Sequence, residues 1–273
     1  MSKPVAIITG GASGIGLAVT THLHKLGYRV VIFDLNSEAG HETVSSLGVD
    51  ALFIRTDVSD YTQQARSFKQ AFEWGGNRLD FCHAYAGIDD RQSLGVGKEI
   101  NTKTLDVNLE AVVQGLWLFK YYARRSEGVG ERVARFVATS SAAGLYSMPT
   151  NPQYTASKYG IVGLTRAAGP VFAKESITVN CICPGVIATN LCPPEILQCF
   201  PKEHITPLST VIKAIDAFLG DDGMTGLVVE LSQENICFRD MVEGANESQK
   251  WLGTKGDEIW DKAYESVAER KGY

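Results

Sequence analysis

The sequence predicts an α/β protein: a single doubly wound domain with a mostly parallel sheet of about seven strands and helices on both faces. Short apolar runs alternate with stretches of helical periodicity, which is the pattern of βαβ units. A glycine-rich turn joins the first apolar run to the first helical stretch. The 273 residues, 44% of them apolar and 21% charged, suffice for one core of this kind.

The predicted strands are short apolar runs that end at polar or turn residues. In chain order they cover residues 5–9, 29–34, 51–56, 79–84, 133–139, 177–183 and 227–231. Side-chain alternation places Cys181 and Cys183 on one face of the sixth run. No second cysteine cluster completes a zinc site, so we predict six reduced thiols and no metal.

The predicted helices cover residues 14–26, 61–74, 105–122 and 154–173, and a further helix lies in the tail. Its apolar face is formed by Ile259, Trp260, Ala263, Tyr264 and Val267. Asp257 and Glu258 at its start and Arg270 and Lys271 at its end suit the helix dipole. The segment 105–122 is apolar almost all round, so we expect it to pack on the sheet and on a partner subunit; the alternative is full burial within the monomer.

Length, composition and charge limit the number of domains and the kinds of partner that we expect for this chain. We predict one domain over residues 1–273, with a substrate-loop segment at about 188–210 and a C-terminal helical extension at about 240–273. The net charge is −5 and no basic run occurs, which disfavours binding to nucleic acid or an anionic membrane. No signal peptide or membrane-spanning stretch is evident, and we expect a cytoplasmic protein.

The glycine turn predicts a pyrophosphate site. Glycines let the backbone approach a pyrophosphate, and the helix that follows offers free N–H groups to an anion. The spacing is Gly10-x3-Gly14-x-Gly16, and we include Ser13 and Ile15 among the cofactor-binding residues. The alternative is a turn that has glycines for packing alone.

Acidic residues at the ends of the second and third strands predict the adenosine site. Asp34 can accept hydrogen bonds from both ribose hydroxyls and repels a 2′-phosphate, and no basic residue stands at Leu35 to neutralise such a phosphate. NAD is therefore favoured over NADP. Asp57 is expected to accept from the adenine amino group while Val58 packs on the ring. The alternatives are a turn aspartate at Asp34 and a helix N-cap at Asp57.

A tyrosine and a lysine predict the chemistry. Tyr154 and Lys158 lie four apart on one predicted helix and therefore on one face. A nearby ammonium favours the phenolate, so this tyrosine can exchange protons closer to neutral pH. A core tyrosine beside a solvated lysine is the alternative. Beyond Pro184-Gly185, Ile187 and Thr189 are candidate nicotinamide contacts, with Thr189 bonding the carboxamide.

These residues, in this order, resemble the classical short-chain dehydrogenase/reductase family from about residue 5 to about residue 231. The markers are the turn at residues 9–16, Asn108, Ser141, Tyr154-x3-Lys158 and Pro184-Gly185. Within that family the sequence is most similar to the NAD-dependent hydroxyprostaglandin dehydrogenases. The resemblance is carried by residues 34–40, 156–166 and 221–226. It implies a Rossmann-type fold.

The resemblance also implies a role for each marker. Tyr154 is the general acid/base, and Lys158 lowers its pKa and binds the nicotinamide ribose. Ser141, thirteen residues before Tyr154, holds the reacting oxygen, a spacing that Ser140 does not meet. Asn108 positions water for a proton relay through Lys158.

One position departs from the family pattern. Where Asn-Ala-Gly is usual after the fourth strand, this chain has Tyr85-Ala86-Gly87. We predict Ala86 as a cofactor contact. A tyrosine cannot reproduce the paired donor and acceptor of an amide. Either this loop is rebuilt, or Tyr85 reaches toward the cofactor or substrate cleft.

The expected function is interconversion of a secondary alcohol and a ketone with NAD(H), by a homodimer or homotetramer. The alternatives are a non-redox NAD-binding scaffold and a protein that steers a cyclisation on the same fold. The substrate lining is expected to draw on Tyr146, Met148, Asn151, Leu191 and residues 193–207. Because these residues carry few charges, we expect a mid-sized, largely uncharged small molecule as substrate.

Overall fold

Parallel strands form the centre of the molecule. The computed structural model of the protein describes residues 2–89, 101–126, 132–192 and 194–271. The strands are β1 (Val5–Thr9), β2 (Arg29–Asp34), β3 (Ala51–Arg55), β4 (Phe81–Ala84), β5 (Ala134–Thr139), β6 (Ile177–Pro184), β7 (Val228–Ser232) and β8 (Asn235–Phe238).

The sheet has the order β3-β2-β1-β4-β5-β6-β7-β8, and every pair is parallel except β7 and β8. The chain builds outward from β1 to β3 and then returns to place β4 on the other side of β1. Strand order therefore reverses between β1 and β4, whose last residues, Thr9 and Ala84, are paired. Open parallel sheets bind ligands beyond the carboxyl ends of their strands at such a reversal. The predicted doubly wound sheet is confirmed.

The eighth strand is absent from the sequence prediction. Residues 232–235 read Ser-Gln-Glu-Asn, a polar stretch typical of a loop. Gln233 adopts a left-handed conformation with φ 52°, which closes a tight turn between paired Ser232 and Asn235. The turn brings β8 back beside β7 as an antiparallel edge strand.

The helices lie between the strands in sequence. They are α1 (Gly14–Lys25), α2 (Ser37–Leu47), α3 (Tyr61–Trp74), α4 (Lys103–Leu105), α5 (Ala111–Ala123), α6 (Pro152–Ala173), α7 (Pro194–Leu197), α8 (Leu208–Gly220) and α9 (Glu247–Lys271). Helices α2 and α8 are additions to the sequence prediction. The signal for α8 was present, because its buried Val211, Ala214, Ile215 and Phe218 recur at helical spacing.

Each face of the sheet has its own apolar core. On one face, Ile7 and Phe136 pack with side chains of α3, α5 and α6. On the other, Ile8 and Val137 pack with side chains of α1 and α8. Alternate residues of the same strands therefore feed the two cores, as two covered faces require.

A buried carboxylate connects the beginnings of strands β1 and β4. Asp80, directly before β4, accepts from the Val5 N–H at 2.8 Å. It also pairs with Arg78 at 2.8 Å and Arg132 at 2.6 Å. A buried charge needs partners of this kind.

The predicted helix 105–122 is interrupted. A π-helical turn, Asp106–Glu110, separates α4 from α5. Val112, Leu116 and Phe119 of α5 are buried, whereas Trp117 is 54% and Tyr121 is 49% exposed. Full burial of this segment within the monomer is therefore wrong. Its packing against a partner subunit stays a prediction.

The chain divides into two compact units, Met1–Arg239 and Asp240–Tyr273. The sheet belongs to the first unit, and a single domain over the whole chain stays a prediction. The second unit contains α9, which begins at Glu247 rather than at Asp257. Ile259 and Trp260 of the predicted apolar face are exposed. The side chains of Asp257, Tyr264, Val267, Arg270 and Lys271 lie outside the description.

Across the described ranges, every helix is too short or too polar to traverse a lipid bilayer.

Candidate active site

The glycine turn connects β1 to α1 as predicted. Gly10 and Gly14 have φ of +66° and +53°, a left-handed backbone that favours glycine. Ser13 is the N-cap of α1 and makes no side-chain capping bond. The first N–H groups of α1 lack partners within the helix, as at every helix start. The turn therefore brings backbone N–H groups to the carboxyl end of β1.

Beside this turn lies a cavity of about 500 Å³ that brings together most of the predicted adenosine contacts. Its lining includes Gly10, Ser13, Asp34, Leu35, Asp57, Val58 and Ala86. Asp34 is held in place because it accepts from the Ala12 N–H at 3.1 Å and the Asn36 N–H at 3.0 Å. We call this the adenosine-side cavity.

Asp57 lines this cavity and also stabilises a local turn through hydrogen bonds with Ser59. It accepts from the Ser59 N–H at 3.0 Å and the Ser59 hydroxyl at 2.6 Å. These bonds, with the charge of Lys103, lower the pKa of Asp57. The N-cap of α3 is Asp60, so the N-cap signal predicted for this segment is correct, and the cap is in the Ser59-Asp60 pair rather than at Asp57. Lys103, which also lines the cavity, is absent from the predicted set.

A second cavity, of about 680 Å³, brings together three of the four predicted catalytic residues. Its lining includes Ile15, Ser141, Tyr154, Lys158, Ile187 and Thr189. We call it the catalytic cavity. Four residues line both cavities: Tyr85, Gly87, Asp89 and Leu191. The two cavities are therefore neighbours along one cleft at the carboxyl ends of the strands.

Lys158 is the most deeply buried of these polar residues, at 4% exposure. Its Nζ donates to the Thr139 carbonyl at 2.9 Å and lies 5.4 Å from the centre of the Tyr154 ring. Burial lowers the pKa of Lys158 to about 8, although nearby Cys183 and Cys181 oppose that shift. The alternative in which Lys158 is a solvated helix lysine is therefore wrong.

The two neighbouring serines differ in their surroundings. Ser140 is buried, and its hydroxyl donates to the Lys158 carbonyl at 2.8 Å. Ser141 lines the catalytic cavity and accepts from the Ala143 N–H at 3.2 Å, which starts a 3-10 turn, Ala142–Gly144. Ser140 lines the same cavity, but its hydroxyl proton is committed to the Lys158 carbonyl. The Ser141 hydroxyl acts as an acceptor in its bond with Ala143, so it can still donate to a molecule in the cavity.

Asn108 lies behind the cavity wall. Its amide bonds the Ile88 backbone twice, donating to the carbonyl and accepting from the N–H, both at 2.8 Å. A methyl group on Gly87 would lie 3.2 Å from Asn108 Oδ1 and 3.7 Å from Lys158 Nζ. Asn108 and Lys158 thus flank Gly87, while neither cavity lining includes Asn108.

The predicted substrate lining is correct in part. Met148, Asn151 and Leu191 line the catalytic cavity, together with Ile196 and Phe200 from the segment 193–207. Pro193 lies outside the described residues. Tyr146 is absent from the lining, because its hydroxyl donates to Glu230 at 3.1 Å and accepts from Arg239 at 3.0 Å. Asp89, missed from the sequence, lines the cavity and hydrogen-bonds Asn151.

A family profile described as short chain dehydrogenase matches residues 4–196, the part that contains the cleft. The chain belongs to the short-chain dehydrogenase family. It is 31% identical to the short-chain dehydrogenase/reductase prx6 of Penicillium rubens, over 89% of this chain and 87% of that protein. It is 34% identical to human 15-hydroxyprostaglandin dehydrogenase [NAD(+)], over 73% of this chain and 72% of that one.

A solved structure shows the same fold. It is the 3-ketoacyl-(acyl-carrier-protein) reductase from Brucella melitensis complexed with NADH, with a TM-score of 0.75 and 21% identity. The match covers 84% of this chain and 96% of that one.

The tyrosine that replaces the usual family asparagine enters the cleft. Strand pairing next to it is intact, because Thr9 Oγ1 accepts from the N–H groups of Tyr85 and Ala86, both at 3.1 Å. The Tyr85 side chain points to the glycine turn and lines both cavities. Of the two outcomes predicted for this short-chain dehydrogenase, the one in which Tyr85 reaches the cleft is therefore confirmed.

Proposed function

We propose that this chain interconverts a secondary alcohol and a ketone with NAD(H) as cofactor. The observation that carries the proposal is the shared lining of one cavity by Ser141, Tyr154 and Lys158, next to a second cavity that contains Asp34. A proton-exchanging group, an oxygen-binding hydroxyl and a dinucleotide-sized cleft are the parts that this reaction needs.

The cleft fits the cofactor. Gly10 and Gly14 let the turn bring the backbone and the first N–H groups of α1 to the cleft, where a pyrophosphate would bind. Asp34 offers its carboxylate to the adenosine ribose, and Ile187 and Thr189 stand on the nicotinamide side. The carboxylate of Asp34 also favours NAD over NADP, because it repels a 2′-phosphate. The NAD(+)-dependent relative supports the same choice.

When bound, the nicotinamide supplies the site that accepts or releases hydride. Tyr154 removes or returns the hydroxyl proton, and Ser141 holds the oxygen through its hydroxyl. With a pKa of about 8, Lys158 is largely protonated at neutral pH, and its ammonium favours the phenolate of Tyr154. Asn108 acts as a positioning residue behind Gly87, holding the Ile88 backbone at the edge of the cavity.

The catalytic cavity favours a mid-sized, mostly apolar substrate. Its wall is largely apolar and includes Met148, Leu191, Ile196 and Phe200. The acidic residue in the lining is Asp89. A homodimer or homotetramer in the cytoplasm completes the proposal. The exposed Trp117 and Tyr121 on α5 are the surface that supports assembly.

The test mixes the purified chain with NAD and a panel of secondary alcohols and follows the absorbance of the reduced nicotinamide. Tyr154→Phe should abolish turnover and retain NAD binding. Tyr159→Phe is the matched control, because its hydroxyl lies on the same helix but donates to the Leu145 carbonyl at 2.8 Å. That control should keep wild-type activity.

The same assay separates the proposal from its alternatives. A non-redox scaffold binds NAD and turns over no alcohol or ketone, in the wild type as in Tyr154→Phe. A cyclisation-steering protein consumes its substrate without a net change in NAD. Neither needs a proton relay, and the convergence of Tyr154, Lys158 and Ser141 on one cavity favours the dehydrogenase.

A further inference from the structure

Tyr85 lies against all three glycines of the turn. Methyl groups placed on Gly10 and Gly16 would lie 3.1 Å and 2.7 Å from Tyr85 Cδ1. A methyl group on Gly14 would lie 2.7 Å from the Tyr85 hydroxyl oxygen. The ring therefore packs under the turn, and its hydroxyl emerges at Gly14, where α1 begins.

The hydroxyl of Tyr85 joins the two sides of the cleft. A methyl group on Gly14 that lies 2.7 Å from this oxygen would also lie 3.2 Å from Thr189 Cβ, so the hydroxyl is placed between the first turn of α1 and Thr189. Burial raises the pKa of Tyr85, and the donors Ile15 N–H and Thr189 hydroxyl oppose that shift. Ile15 belongs to the first turn of α1, and Thr189 follows β6. These two groups are among the donors that the proposed function assigns to the cofactor.

The packing of Tyr85 keeps it in this place. Its ring stacks on buried His83 with ring centres 6.0 Å apart and an interplanar angle of 29°. His83 Nε2 is hydrogen-bonded to Thr139 Oγ1 at 2.8 Å. Burial raises the pKa of Tyr85 and lowers that of His83 to about 3, so both rings are neutral at physiological pH. A neutral hydroxyl does not repel a phosphate by charge, and its effect on a ligand is competition for donors.

We propose that Tyr85 is an affinity-determining residue of the cofactor cleft, an internal competitor whose hydroxyl, fixed beside Gly14 and Thr189, competes with a dinucleotide for the Ile15 and Thr189 donors. The inference rests on the proposed function, because it takes these donors as cofactor contacts. In this proposal, Tyr85 competes only with the pyrophosphate and nicotinamide portion of the dinucleotide. The Asp34 carboxylate and Val58, which belong to the adenosine-side cavity, are not among the partners that the Tyr85 hydroxyl bonds.

The experiment measures binding rather than turnover. Isothermal titration calorimetry gives the Kd of NADH and of AMP for the wild type and Tyr85→Phe. Phenylalanine keeps the ring between the glycines and removes only the hydroxyl. Loss of a competing neutral hydrogen bond should tighten NADH binding about two- to tenfold. AMP keeps one phosphate but lacks the second phosphate and the nicotinamide half, so the Kd of AMP should change less than that of NADH.

Tyr159→Phe is the matched control, since its hydroxyl lies outside both cavities. Far-ultraviolet circular dichroism and urea unfolding verify that each variant is folded. Unchanged or weaker NADH binding by folded Tyr85→Phe would overturn the inference and leave the proposed function standing. An equal gain for AMP would also overturn it, because the effect would then be general. Failure of both proteins to bind NADH would overturn the inference and the proposed function together.

Discussion

The sharpest prediction concerns the pH dependence of stability that the buried Lys158 imposes. The side chain is 4% exposed, and burial lowers its pKa from 10.5 to about 8. Between these values, the lysine of the unfolded chain holds a proton that the folded chain has released. The unfolded state then binds more protons, so raising the pH favours the folded state.

The size of the effect follows from the two pKa values. Each pKa unit corresponds to about 1.4 kcal/mol, so the full effect is about 3 kcal/mol. The penalty for burying the charge is complete below about pH 8 and disappears toward pH 10.5. In Lys158→Met, which has no charge to bury, this contribution to the slope should be absent.

This pH dependence can be measured by urea unfolding of the cofactor-free protein at pH values from 7 to 10, with circular dichroism as the signal. We expect the wild type to gain about 2–3 kcal/mol relative to Lys158→Met over this range. Lys69→Met, which changes a side chain that is 66% exposed on α3, should run parallel to the wild type. If the free energy of unfolding of Lys158→Met rises in parallel with the wild type as well, Lys158 titrates as an ordinary lysine and the reasoning is refuted.

Three further predictions concern the fold and the cleft. Asp80→Ala should lower the free energy of unfolding by about 3–5 kcal/mol, because the buried carboxylate loses its ion pairs with two half-buried arginines and its bond with the Val5 N–H. A loss below about 1 kcal/mol in urea unfolding would contradict this. Gly16→Ala should destabilise by about 1–3 kcal/mol, because its methyl group would overlap the Gly10 carbonyl oxygen. Gly163→Ala, with no neighbour within 4 Å, is the control and should be neutral or stabilising in the same assay. Asp34→Asn removes a charge and keeps an oxygen acceptor, so the ratio of NADP to NAD affinity should rise about fivefold or more, and an unchanged ratio in calorimetric titrations would refute the role of Asp34.

Much of the fold could be predicted because local patterns repeat what the tertiary structure requires. The seven strands of the prediction match β1 to β7 within two residues, since each is a short apolar run covered on both faces. The prediction failed where a local pattern was ambiguous. The polar residues 232–235 form a hairpin only because β7 offers a free edge for β8, and the π-helical turn at Asp106–Glu110 leaves no mark in the apolar periodicity.

The site shows the same division. Glycines, acids and the Tyr154–Lys158 pair stand at spacings that indicate their chemistry, because parallel strands bring their carboxyl ends to one edge whatever the loops do. The sequence showed that Tyr85 departs from the family pattern, but it did not show where the Tyr85 side chain points. Its place depends on His83 behind the ring and on the bare glycine turn in front of it, which are far apart in sequence.

The amino-acid order alone determined the doubly wound sheet through short-range periodicity, and it indicated the candidate catalytic residues through their spacing and the resemblance to a family. Only the tertiary structure decided which serine hydroxyl is committed to the Lys158 carbonyl, how deeply Lys158 is buried and that the Tyr85 hydroxyl lies at Gly14. Burial and hydrogen-bond partners depend on residues from separate strands that meet only in the folded chain. The lowered pKa of Lys158 and the proposed competition of Tyr85 for the cofactor's donors both depend on that meeting.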